Sequence, residues 1–124
     1  MALTALIAGC GAGDPYVAVE AGMRDWLVTA HQRDEAACDH MTDEYRRALS
    51  AASTSSSEGT ECSRALTTLA PDATVMLPPA DAAMDVPVWD PSGEALVEVK
   101  DGSTVVQFWM QVDGDRWRVA GTPD

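Results

Sequence analysis

The chain has 124 residues, of which 46% are apolar and 23% charged, proportions that fill one modest core and leave no room for a second folded domain. Eight Lys and Arg stand against twenty Asp and Glu, a formal charge of −12 at pH 7. Such a surface repels phosphate backbones and anionic headgroups, which excludes nucleic acid as a partner.

The first charged side chain is Asp14, and the apolar run that begins at Met1 leads to Cys10. Leu6-Ile7-Ala8-Gly9-Cys10 resembles a bacterial lipobox, in which small residues before the cysteine admit a lipoprotein signal peptidase and the thiol carries a diacylglyceryl group. The resemblance implies that residues 1–13 are a signal segment and tether, that the protein is exported to the outer face of the cell membrane, and that its membrane attachment is the lipid on Cys10. The run itself falls short of the ~20 apolar residues that span a bilayer. Three cysteines are present, and an odd count in an exported chain reads as one pair plus one thiol with another fate. With Cys10 lipidated, Cys38 and Cys62 are the pair, in a compartment where a disulfide persists.

Asp14-Pro15 starts a helix, since Asp caps the orphan amides and Pro at the first helical position has its φ preset. Tyr16, Val19, Met23, Trp26, Leu27 and Ala30 then recur at intervals of three and four, one buried stripe over 15–31, with His31 and Arg33 suiting the last turn. A short helix from Asp34 buries Ala37, Cys38 and Met41. Thr42 opens another through Tyr45 and Leu49, and the polar stretch from Ser50 to Gly59 interrupts the pattern. Thr60 caps a last helix with Cys62, Leu66 and Leu69 on one face, stopped by Pro71.

From Ala73 the period becomes two. Strands are expected at 73–77 and 86–90, confined to edges by Pro78-Pro79 and Pro87, with residues 81–85 as their connection. Asp101-Gly102 and Asp113-Gly114 predict two-residue type I′ hairpins. Val99 then opposes Thr104, Val97 opposes Val106, Met110 opposes Trp117 and Phe108 opposes Val119, all on one face. The result is an α+β domain over 14–124, with N-terminal helices packed on a C-terminal curved antiparallel sheet.

A long amphipathic helix, short helices and a closing run of antiparallel strands resemble the cone-shaped NTF2-like (cystatin-like fold) superfamily. The stretch from Asp34 through Cys38 and Thr42 to Tyr45, the polar loop, and then Glu61-Cys62 are similar to small actinobacterial lipoproteins of that fold. The resemblance implies a pocket between helix and sheet, lined here by Trp26, Tyr45, Phe108, Met110 and Trp117, for a small apolar ligand. Relatives with isomerase, dehydratase or hydrolase activity place a base in that cone, and His31, His40, Asp39 and Tyr45 are the residues here of suitable chemistry.

None of these four stands in a spacing diagnostic of catalysis, so no catalytic residue is assigned. His31 and His40 are not at the helical spacing of a zinc pair, and the acidic residues lack the order of a calcium loop. No metal or cofactor is expected. On the outer sheet face Leu96, Val105 and Trp109 share an apolar centre with Arg118 among polar neighbours, which suits an envelope protein or a second copy of the chain. The sequence therefore points to an exported, lipid-anchored binding domain, with a cone-pocket enzyme as the alternative.

Overall fold

Helix α1 (Pro15–His31) turns Val19, Met23, Trp26, Leu27 and Ala30 inward, and all five are buried. In the computed structural model, which describes residues 15–52, 59–69 and 77–123, the expected Asp14 cap, the Pro71 stop, the polar loop at 53–58 and positions 73–76 of the first expected strand lie outside the described residues. Tyr16 departs from the stripe: it is 46% exposed and meets Trp89 edge-on instead of entering the core. The helix closes in a Schellman motif, with Asp34 N–H donating to Thr29 O and Arg33 N–H to Ala30 O. Arg33 occupies the left-handed position, at φ 55°, that glycine normally fills.

Three short helices follow. Asp34 Oδ1 accepts from Ala36 N and turns the chain into α2 (Ala36–Asp39); Thr42 Oγ1 accepts from Tyr45 N and caps α3 (Asp43–Ala52). Helix α3 runs to Ala52, two residues past the predicted break at Ser50, because Ser50 is buried and receives a hydrogen bond from Arg64 of the next helix. Thr60 caps α4 (Glu61–Thr68), accepting from Ser63 N. The pair α3–α4 is fastened by Thr68 Oγ1 to Leu49 O at 2.6 Å and by Arg46 to Glu61 at 2.8 Å. Cys38 and Cys62 form the disulfide, joining α2 to α4 across 24 residues. On the chain-entropy account a loop of that length stabilises the fold by about 3.5 kcal/mol.

Strands β1 (Ala83–Asp90), β2 (Glu94–Asp101), β3 (Thr104–Asp113) and β4 (Arg116–Gly121) form one antiparallel sheet in the order β1-β2-β3-β4. Residues 83–85, expected as a connection, belong to β1, and a bulge between Asp85 and Val88 accommodates Pro87. Both hairpins form, but their pairing is displaced by two residues from the predicted one. Val99 opposes Val106, Val97 opposes Phe108, Met110 opposes Val119 and Val112 opposes Trp117. The loops are Gly102-Ser103 and Gly114-Asp115, each with glycine first and at positive φ, the type II′ arrangement, so each Asp is the last paired residue of its strand. A shift of two keeps every side chain on its face. Val97, Val99, Phe108, Met110 and Val119 are fully buried beneath α1, as predicted.

The free edge of β4 is covered by the segment between α2 and α3. Val119 N donates to His40 O at 2.7 Å and Thr42 N to Val119 O at 2.9 Å, a one-residue parallel bridge at Met41. Arg118 Nη1 adds a bond to Asp39 O. At the other side of the sheet, Arg24 of α1 holds the entry to β1 through the carbonyls of Ala80 and Ala82. Gly22 lets α1 come close to β4: a Cβ there would stand 3.0 Å from the Trp117 carbonyl.

Since a non-glycine residue at a left-handed position costs roughly 1 kcal/mol, Arg33→Gly should stabilise the domain by about that amount. Urea denaturation at pH 7 measures it, and a variant less stable than the parent contradicts the strain argument.

Candidate functional site

Among the described residues the four helices precede the sheet in the chain and the packed core lies on one of its faces, so the opposite face carries the candidate surface. Residues directly opposed on antiparallel strands share a face. Val88 opposes Leu96, and Leu96 opposes Trp109, so three apolar side chains form one row across β1, β2 and β3. Val88 is 43% exposed, and Leu96 and Trp109 are half-buried. The row ends beside the β4 bulge, in a shallow depression of about 390 Å³ bounded by Glu94, Trp109, Gln111, Ala120, Gly121 and Thr122.

The predicted interface residues divide on this map. Leu96 and Trp109 meet as expected. Val105 is exposed but lies opposite Lys100 near the other hairpin, separated from the row by the hydrogen-bonded pair Gln107 and Glu98. Arg118 opposes Gln111, and its guanidinium is engaged by the Asp39 carbonyl and by Asp113 at 3.1 Å. It therefore braces the sheet edge. Val88 was not among the predicted residues; its bulged strand hid the side on which it emerges.

The residues expected to line a pocket are packed against one another. Trp26, Phe108 and Met110 have no accessible surface, and Tyr45 has 7%. Trp26 meets Phe108 edge-on at 5.2 Å between ring centroids and Tyr45 at 6.4 Å. Among the described residues neither Trp26 Nε1 nor Tyr45 Oη has a hydrogen-bond partner, at a cost of roughly 1–3 kcal/mol for such a group. Burial pushes the Tyr45 phenol up to about 12. Trp117, the fifth residue, is half-buried and packs against this core from its rim.

It borders a separate depression of about 270 Å³ between α1 and β4, with Ala18, Ala21, Gly22 and Asp25 on one wall and His40, Asp115 and Arg116 on the other. Burial, and next the Arg116 guanidinium, lower the His40 pKa below its ordinary value; Asp25 and Asp39 oppose the shift and Arg118 adds to it. A neutral imidazole there is able to accept a proton. The other acid–base candidates do not join it: His31 Nε2 bonds to Pro78 O at 2.6 Å, the Asp39 side chain is exposed, and Tyr45 is in the core. Among the described residues no group of three or more His, Cys, Asp and Glu side chains could hold a metal ion, and no helix is long and apolar enough to cross a membrane.

Folded Tyr45 keeps its proton to about 12, whereas an unfolded tyrosine releases it near 10.0. That contribution is complete below pH 10 and is lost as the pH rises toward 12, a fall of about 3 kcal/mol. Tyr45→Phe should therefore raise stability at pH 7 by about 1 kcal/mol, by removing an orphan hydroxyl, and should lose less stability than the parent between pH 10 and 12. Urea titrations at the three pH values check both, and a destabilised phenylalanine variant means that the hydroxyl has a partner. Comparison with protein-family models, curated proteins and solved structures finds no match to this chain.

Proposed function

We propose that the chain is an exported, lipid-anchored domain of the NTF2-like type that works by binding a protein partner at the cell envelope through the outer face of its sheet. The observation that carries this reading is the row Val88–Leu96–Trp109 ending in a depression of about 390 Å³. A tryptophan beside a cavity able to receive a partner's side chain has the anatomy of an interface centre, and the polar residues Glu94, Glu98, Gln107 and Gln111 form its rim. Export is supported by the Cys38–Cys62 disulfide together with the lipobox-like sequence ending at Cys10. The small-ligand alternative is less favoured, because Trp26, Phe108 and Met110 leave no space between them.

Trp109→Ala and Leu96→Asp should each weaken the complex at least tenfold while leaving the melting temperature within a few degrees of the parent. A photo-crosslinker at position 107 in intact cells, read by mass spectrometry, identifies the partner, and sedimentation velocity reports whether it is a second copy. If the crosslink and the sedimentation profile survive both substitutions, the surface is not the binding site.

The enzyme reading has one observation in its favour, the depression where a neutral His40 faces Asp25, Arg116 and Trp117. An acid–base role for His40 requires that His40→Gln abolish turnover of an isomerase or hydrolase substrate that the parent protein converts. A parent protein that converts none of a panel of such substrates removes this reading.

A further inference from the structure

Seven large apolar side chains stand exposed among the described residues: Tyr16, Val17, Val28, Val88, Trp89, Val105 and Val112. They are not scattered evenly. Tyr16 and Val17 form the first turn of α1, and Tyr16 meets Trp89 at 6.5 Å between ring centroids. Val88 precedes Trp89 on β1. Val112 lies at the same end, where its N–H donates to the carbonyl of Gly93 in the β1–β2 turn. Five of the seven therefore gather at the end of the domain where α1 begins, about the mouth of the β1–β2 hairpin.

That end is also where the chain arrives from its anchor. Pro15, the first residue of α1, lies five residue steps after Cys10, and an extended chain covers at most roughly 3.6 Å per step. The start of α1 is thus held within roughly 18 Å of the Cys10 backbone, whatever path the tether takes. Tryptophan and tyrosine favour the headgroup level of a bilayer, where an apolar ring body and a polar N–H or O–H are both accommodated.

We infer that the α1 entry end, carried by Tyr16, Val17, Trp89 and Val112, rests on the bilayer that holds Cys10, with the Trp89 indole in the acyl–headgroup boundary. The inference rests on the reading of Cys10 as lipidated. Charge does not assist the contact: Asp90, Glu94, Asp113 and Asp115 surround this end against Arg116, which is repulsive toward anionic headgroups. The contact is one of apolar and aromatic burial, so it forms on zwitterionic lipid and is indifferent to salt. It also fixes the domain's orientation. The outer face of the sheet then stands across the membrane plane, open to a neighbour on the same surface.

The test uses the lipoprotein purified from bacterial membranes, its Cys10 modification read by mass, in phosphatidylcholine vesicles with brominated acyl chains. Trp89 is one of four tryptophans, so quenching should remove up to roughly a quarter of the emission, equally at low and high salt. Trp89→Phe should abolish the quenching and Trp109→Phe should leave it. An unmodified Cys10 overturns the anchoring reading and this inference with it. A lipidated protein with no quenching, or with quenching that persists in Trp89→Phe, overturns the inference and leaves the anchor standing. A Trp89 unquenched in vesicles but shielded in native envelopes assigns this end to a protein and likewise overturns it.

Discussion

The edge-to-face contact of Trp26 with Phe108 is the point on which the rest of the architecture hangs. Trp26 sits midway along the inner stripe of α1, Phe108 midway along the inner face of β3, and both are sealed from solvent. Tyr45 closes on Trp26 from α3, so one indole brings the long helix, the helical pair and the sheet together. Because Trp26 and Phe108 are among the largest buried side chains, the spacing of the two layers is set by their rings and the smaller residues fill what remains. Gly22 follows from the same spacing, as the place where the helix backbone meets β4 with no room for a Cβ.

With one face of the sheet committed to that contact, the other inherits a different composition. Glu98, Gln107 and Gln111 keep most of it hydrated, and Val88, Leu96 and Trp109 interrupt it in a single row. The sheet is thus two-sided in chemistry as well as in packing: Phe108 is sealed on the inner face, and Trp109, the next residue, stands half-buried on the outer one. The entry end of α1 presents a third apolar surface, distinct from both because Tyr16 and Trp89 lie where helix and sheet part company.

Much of this layering is legible in the amino-acid order. The stripe from Val19 to Ala30 and the alternation from Val97 to Val119 are long enough to identify helix, strand and inner face without coordinates. The Cys38–Cys62 pairing follows from the odd cysteine count once the lipobox resemblance sets Cys10 aside. What escapes is set by smaller energies. Placing glycine first in each hairpin loop moves the pairing by two residues, a change invisible to the alternation because it restores every side chain to its face. Tyr16 has the right spacing for burial, but it meets Trp89 at the rim of the sheet and stays exposed. The outer row was half readable: Leu96 and Trp109 emerge from period two, whereas Val88 depends on a bulge at Pro87 that periodicity does not encode. Nothing in His40, Met41 and Thr42 announces that their backbone will pair with β4, since that pairing uses amides and carbonyls that every residue has.

That borrowed segment beside β4 changes what the molecule can become when it is abundant. A sheet with bare flanks invites strand-to-strand growth into fibres. Here one flank is capped by His40–Thr42 and riveted by Arg118, and the opposite strand is broken by Pro87, which has no amide to offer. Copies at high concentration therefore lack the matching borders that runaway polymerisation requires.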